Sequence, residues 1–186
     1  MGFSIVKHRL VGDGVIRVDC VKNTQVIAGP DMIILHYTAG ASVMSSARYL
    51  ARPDVGASAH LVIGRAGEVV QLVPFNIVAW HAGRSWYAGR EELNHYSIGI
   101  ELDNLGQLRM EGGKFVAECG REVPFKEVYT DDSGRELTYW HKYTRVQMDV
   151  LREVCRLLKK RYPIKYVVGH SDVTARKVDP GPALQF

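Results

Sequence analysis

Met32-Ile33-Ile34-Leu35-His36 decides the reading of the fold: four apolar residues in a row, flanked by turn residues and closed by a histidine. A run this short and continuous suits a strand buried on both faces, set inside a sheet with layers packed on either side. Two further runs end in a polar residue in the same way. Ser97-Ile98-Gly99-Ile100 leads into Glu101, and Tyr166-Val167-Val168-Gly169 leads into His170. From Ser97 to Leu102 the residues alternate, with Ile98, Ile100 and Leu102 on one face and Ser97, Gly99 and Glu101 on the other.

Working outward, Val15 to Val18 suits a short edge strand, and Ser42 to Leu50 a short helix closed by Pro53. Ala59 to Ile63 and Glu68 to Val73, joined through Arg65-Ala66-Gly67, read as a hairpin. Thr144 is a good N-cap for a helix from Val146 to Tyr162, with Gln147 completing a capping box and Pro163 as its stop. Val146, Val150, Val154, Leu157 and Leu158 form its apolar stripe. Residues 104–142 are polar and dotted with glycine, with short strands expected at Lys114 to Ala117 and Glu127 to Thr130. They read as an insertion forming a flap or hairpin. The expectation is an α/β fold with one central mixed β-sheet, a single domain over 1–186 carrying the insertion at 104–142.

The 186 residues are 46% hydrophobic and 24% charged, enough for a core without disulfide staples. The cysteines Cys20, Cys119 and Cys155 are odd in number and far apart, so a disulfide framework and a Cys-rich zinc knuckle are both disfavoured. The net charge of +4 suits a polyanionic partner, but Lys and Arg are scattered. Nucleic acid is not expected as a partner, and no run is long enough to insert in a membrane. The first residues show no signal peptide, so the expected location is cytoplasmic, with delivery to a cell wall by phage lysis or secretion as the alternative. A monomer is expected.

His36, Glu101 and His170 all close apolar runs, and in α/β folds ligands gather beyond the carboxyl ends of the strands. Past His170 lies Lys177-Val178-Asp179-Pro180-Gly181-Pro182. Pro180 holds Asp179 extended, so Lys177 and Asp179 project to one side. His36, His170 and Asp179 can supply two nitrogens and a carboxylate to a catalytic zinc, which keeps three protein ligands and one open position. Glu101 can move protons, and Lys177 can stabilise an oxyanion. Asp172 is a rival ligand or a loop cap. Glu101 can equally pair with an arginine, and each histidine can be a hydrogen-bonded structural residue. His8 and His141 read as surface residues. The sequence contains no H-E-x-x-H, G-x-S-x-G or P-loop motif.

Six motifs stand in a familiar order: Ile34-Leu35-His36-Tyr37-Thr38-Ala39-Gly40, Ser58-Ala59-His60-Leu61-Val62-Ile63, Gly67-Glu68-Val69-Val70-Gln71-Leu72-Val73-Pro74, Ala79-Trp80-His81-Ala82-Gly83, Ser97-Ile98-Gly99-Ile100-Glu101, and Gly169-His170-Ser171-Asp172 through Arg176-Lys177-Val178-Asp179-Pro180-Gly181-Pro182. Together they resemble the zinc-dependent N-acetylmuramoyl-L-alanine amidases of the type-2 amidase family. That family includes bacterial muropeptide-recycling amidases, phage lysozyme-like amidases and peptidoglycan recognition proteins. The resemblance implies a mixed sheet flanked by helices with a zinc groove on one face. It implies one zinc on His36, His170 and Asp179, with Glu101 as acid/base and Lys177 as oxyanion partner. It implies hydrolysis of the amide joining N-acetylmuramic acid to L-alanine in peptidoglycan or muropeptides. His60 is expected to be structural. Tyr37, Trp80, His81 and Asn94 are expected to line the groove and contact sugar or peptide.

The loop from His170 to Asp179 is slightly shorter than in the recycling enzymes, and the 104–142 insertion is larger than in the simplest members. A lone catalytic domain suits soluble muropeptides or assisted delivery to the wall. The alternative is a peptidoglycan-recognition protein that binds without cleaving. Such proteins typically lose a metal ligand, whereas all three candidates are present here.

Overall fold

The computed structural model describes residues 2–27 and 29–186. The first strands, β1 (Ser4–Val6) and β2 (Arg9–Val11), pair as a hairpin the sequence reading missed. There follow β3 (Val15–Arg17), β4 (Met32–Tyr37), α1 (Val43–Ala51), β5 (Leu61–Ile63) and β6 (Val69–Gln71). A ribbon of β7 (Trp86–Tyr87) and β8 (Arg90–Glu91) precedes β9 (Ser97–Leu102). Strands β10 (Gln107–Glu111), β11 (Lys114–Ala117), β12 (Glu122–Val123), β13 (Val128–Asp131) and β14 (Thr138–His141) come next. The chain closes with α2 (Arg145–Arg161), β15 (Tyr166–Gly169) and α3 (His170–Val173).

The main sheet is mixed and six-stranded, ordered β15-β4-β9-β5-β6-β3. Strands β15, β4, β9 and β5 run parallel, and the β5–β6 hairpin reverses the direction. Parallel neighbours need cover on both faces, and both are covered. On one, Ile33, Leu35, Ile98, Ile100 and Leu102 pack against Val150, Leu151, Val154 and Leu158 of α2. On the other, Met32 and Ile34 meet Ala82, Leu93 and Val173, while Val62 and Val70 meet Val43 and Ala47 of α1. The strand β15 is an edge strand and only half-buried, less enclosed than its apolar sequence suggests.

Local chemistry sets the helix limits. Ser42 Oγ accepts from Ser45 N to start α1, and Arg52, extended before Pro53, ends it. Thr144 Oγ1 accepts from Gln147 N to start α2, and Lys159, Lys160 and Arg161 sit at its negative end. Two details differ from the sequence reading. Gln147 does not close a capping box: it is fully buried, and its Nε2 donates to Ile63 O and Asp103 O at 2.9 and 3.1 Å. Val146 is 44% exposed, so the buried face starts at Gln147 and Met148 and runs through Val150, Leu151, Val154, Cys155 and Leu158.

The expected flap is a second sheet of five antiparallel strands, ordered β12-β11-β10-β14-β13. It has its own core of Leu105, Leu108, Ala117, Val123 and Val128. His141, read as a surface residue, is buried where this sheet meets the first. Its Nδ1 accepts from Leu105 N at 3.1 Å, while Asn104 Nδ2 donates to its carbonyl at 2.9 Å. Arg65 joins the same contact through Lys142 O and Glu127. His8 is likewise half-buried, with its Nδ1 2.8 Å from Tyr162 Oη. Among the described residues no helix is long and apolar enough to cross a membrane.

Candidate metal centre

Register places the site. His36 is the partner of Glu101 across β4–β9, and Gly169 is the partner of Leu35 across β15–β4. His170, one residue on, therefore stands level with His36 at the same end of the sheet. The segment after α3 then brings Asp179 back, with Ser171 N donating to Asp179 O at 2.8 Å.

Three atoms meet there. His36 Nδ1, His170 Nδ1 and Asp179 Oδ2 form a triangle with sides of 3.1, 3.0 and 3.0 Å. All three residues are buried. Asp172, the rival ligand, stands apart, and its Oδ2 caps α3 by accepting from Gly169 N at 2.7 Å.

The surrounding hydrogen bonds fix where the ring protons lie. Leu93 O can only accept, so Ser97 Oγ donates to it, at 2.6 Å. Ser97 Oγ then presents a lone pair to His81 Nε2 at 3.3 Å, which places a proton on that nitrogen. His81 Nδ1 is left to accept from His36 Nε2 at 3.1 Å, and His36 Nδ1 is left bare. On the other ring, Ala82 O at 3.3 Å takes the proton of His170 Nε2 and leaves its Nδ1 bare. Two imidazole lone pairs and a carboxylate oxygen thus face one another. With the ring protons so placed, the three atoms have no proton between them, and a cation with donor distances of about 2.0–2.1 Å would satisfy all three. A ring N–H held by a carbonyl or a second ring is also how metal-ligating histidines are oriented.

Electrostatics agree with this donor set. Burial lowers the pKa of His36 and drives that of His81 well below the ordinary value, keeping both rings neutral. Burial opposes ionisation of Asp179, and a proton or positive charge on the His36 and His170 side is what holds its carboxyl below the usual range. Glu101 shows the opposite balance. Burial and the nearby Asp179 carboxylate push its pKa up to about 8, against a downward pull from Lys177. Its Oε2 is fully buried and has no hydrogen-bond partner among the described residues. Lys177 is exposed.

His60 is fully buried, donates from Nε2 to Ile77 O at 2.9 Å, and accepts at Nδ1 from Gly99 N at 2.9 Å. It pins β9, and burial lowers its pKa to about 4. The four expected groove residues separate into two pairs. Trp80 is 40% exposed, with Lys22 Nζ 5.7 Å above its ring, and Tyr37 is half-buried against Gly106. His81 instead sits behind His36. Asn94 Oδ1 accepts from His81 N and Ala82 N at 3.0 and 2.8 Å, holding the loop that carries them.

A family profile described as N-acetylmuramoyl-L-alanine amidase matches residues 26–182. The chain belongs to this family. It is 38% identical over 132 residues to the 1,6-anhydro-N-acetylmuramyl-L-alanine amidase AmpD of Escherichia coli, covering 69% of this chain and 54% of that protein. It is 32% identical over 165 residues to the N-acetylmuramoyl-L-alanine amidase AmiD of the same organism, covering 83% of this chain and 50% of AmiD. The chain thus spans about half the length of the curated relatives it matches. Among solved structures, an AmpD crystal structure superposes with a TM-score of 0.66 at 28% identity, covering 97% of this chain and 94% of that one. E. coli AmiD in complex with anhydro-N-acetylmuramic acid-L-Ala-D-γ-Glu-L-Lys gives 0.65 at 27% identity, covering 99% of this chain and 63% of that one.

Ser97 and the carbonyls of Ala82 and Leu93 were not singled out from sequence. Only Gly99 carried a signal. A Cβ there would fall 2.3 Å from His81 Cγ, so the glycine two residues before Glu101 marks where a ring packs on the strand.

Proposed function

We propose that this chain hydrolyses the amide between N-acetylmuramic acid and L-alanine in muropeptides, with one zinc ion held by His36 Nδ1, His170 Nδ1 and Asp179 Oδ2. The observation that carries this reading is the triangle of lone pairs beside the unpaired Oε2 of Glu101. Family membership supplies the substrate class. When bound, zinc supplies Lewis acidity toward water and toward the carbonyl oxygen.

The chain's own residues supply the rest. Glu101, the register partner of His36 on the next strand, takes a proton from the attacking water in its ionised form and passes it to the departing L-alanine amine. Lys177 places its ammonium where negative charge grows on the carbonyl oxygen. His81 and Ser97 are positioning residues that hold the His36 ring, and Asn94 holds the backbone of their loop. Trp80 and Tyr37 are left to contact sugar or peptide. A cytoplasmic location and a monomeric state belong to the same proposal.

The test is mass spectrometry of anhydro-N-acetylmuramic acid-L-Ala-D-γ-Glu-L-Lys incubated with the zinc-loaded protein, beside intact sacculi. Release of the free peptide is expected. Glu101→Ala and Lys177→Ala should each lower kcat by about 100-fold or more while retaining zinc. Binding without release of any amine, or unchanged turnover in both variants, would overturn the reading.

A further inference from the structure

Two of the three candidate ligands stand where the main sheet puts them: His36 lies in β4, and His170 directly follows β15. Asp179 does not. It lies outside any helix or strand, at the end of a returning segment in which Ala175, Arg176, Lys177 and Val178 are all exposed. Asp179 and Pro180 are nevertheless buried. One backbone bond, from Ser171 N to Asp179 O at 2.8 Å, ties the ligand to the start of α3.

The rest of the grip comes from the second sheet and from the residues that join it to α2. Tyr143 Oη donates to Pro180 O at 2.7 Å. Trp140 of β14 covers Gly181, where a Cβ would fall 2.5 Å from Trp140 Cε3 and Cζ3. Gly181 also has a φ of 76°, so the turn excludes a side chain on two counts. Pro180 in turn sits against β15, where a Cβ on Gly169 would fall 2.6 Å from Pro180 Cδ. Both aromatic residues are themselves held. Trp140 is buried, stands opposite Gln107 and Tyr129 in the sheet, and donates from Nε1 to Thr138 Oγ1 at 2.8 Å. Tyr143 packs on the main core and precedes Thr144, the N-cap of α2. Side chains locked in this way by packing and hydrogen bonds are what hold a functional group in place when it sits on a loop.

We propose that Tyr143 and Trp140 are positioning residues for Asp179: the second sheet seats the Pro180–Gly181 turn and so fixes the third ligand of the metal centre. This rests on the metal reading of His36, His170 and Asp179. Neither aromatic residue is a ligand. Their part is to remove the freedom of an exposed segment before a cation arrives. Without them Asp179 is in place in only a fraction of the molecules, and the apparent affinity for the cation falls by that fraction.

The experiment compares the parent with Tyr143→Phe, Trp140→Phe and Val123→Ala. Tyr143→Phe deletes one hydroxyl, whereas Val123→Ala loosens the second sheet's own core. Zinc affinity is read by competition with a chromophoric chelator, and amide hydrogen exchange is read on the metal-free protein. Melting curves establish that each variant is folded; if Trp140→Phe is not, Tyr143→Phe decides alone. Zinc affinity should fall about 10-fold in Tyr143→Phe and in Trp140→Phe, at the low end for residues that orient metal ligands. The Ser171 amide, which donates to Asp179 O, should exchange roughly 2- to 12-fold faster in metal-free Tyr143→Phe, the span of one neutral hydrogen bond. Val123→Ala should lower the melting temperature while zinc affinity stays at the parent value. Parent-like zinc affinity in both aromatic variants overturns the positioning role and leaves the metal centre standing. An equal loss of affinity in Val123→Ala overturns it too, because the loss then follows general stability. A parent that takes up no zinc overturns the metal reading and the positioning role with it.

Discussion

At the residue scale the site is governed by where protons cannot go. Glu101 is the sharpest case. Its folded pKa of about 8 stands above the ordinary 4.5, so between those values the folded metal-free protein keeps a proton that the unfolded chain has lost. Stability from this group is therefore full below about pH 4.5, falls as pH rises toward 8, and stays low above it. Glu101→Gln removes the titration. The variant should gain thermal stability over the parent at pH 8.5 but not at pH 4.5, as read by melting of metal-free protein. Parallel pH dependences would contradict the assignment. Ser97 tests the proton chain itself. Ser97→Ala leaves His81 without the lone pair that fixes its tautomer, and zinc affinity should fall by about 10-fold, at the low end for outer partners of metal ligands. Competition with a chromophoric chelator reads this, and unchanged affinity would show that the chain does not orient His36. That His36, His170 and Asp179 meet, with Glu101 on the neighbouring strand, was legible in sequence because each closes an apolar run or precedes a proline. The burial of His81 and His141 was not legible because a lone histidine carries no periodicity. Their burial depends on Gly99 and on the joint between the two sheets, which are long-range facts.

At the element scale, the strands β4 and β15 were legible as short apolar runs bounded by turns, and β9 by its alternation. Helix α2 was found, but its buried face was started at Val146, one residue too early. Val146 fits the helical period, yet the core begins at Gln147, whose side-chain amide caps Ile63 O and Asp103 O instead of the helix. The difference is measurable by urea unfolding. Leu151→Ala removes a fully buried side chain from the α2 face and should cost about 2–5 kcal/mol. Val146→Ala, at an exposed position, should stay within about 0.5 kcal/mol. Equal costs would mean that α2 presents a different face to the sheet.

At the scale of the whole molecule, the parallel core aligns three strand ends and the site follows from that alignment. The second sheet was the least legible part. Strands β11 and β13 were expected, but β10, β12 and β14 were not: they are short, and turns at glycines such as Gly112 and Gly113, with φ of 57° and 78°, read as loop when the pairing is not seen. It has a small core of its own and meets the main sheet at buried Asn104 and His141. The central claim is that the strand ends and the returning segment together create one cation site. Crystals of the protein grown with zinc, measured on either side of the zinc absorption edge, test it most directly. We expect one anomalous peak within about 2.0–2.2 Å of His36 Nδ1, His170 Nδ1 and Asp179 Oδ2. A fully occupied peak elsewhere, with none between those three atoms, would contradict the account.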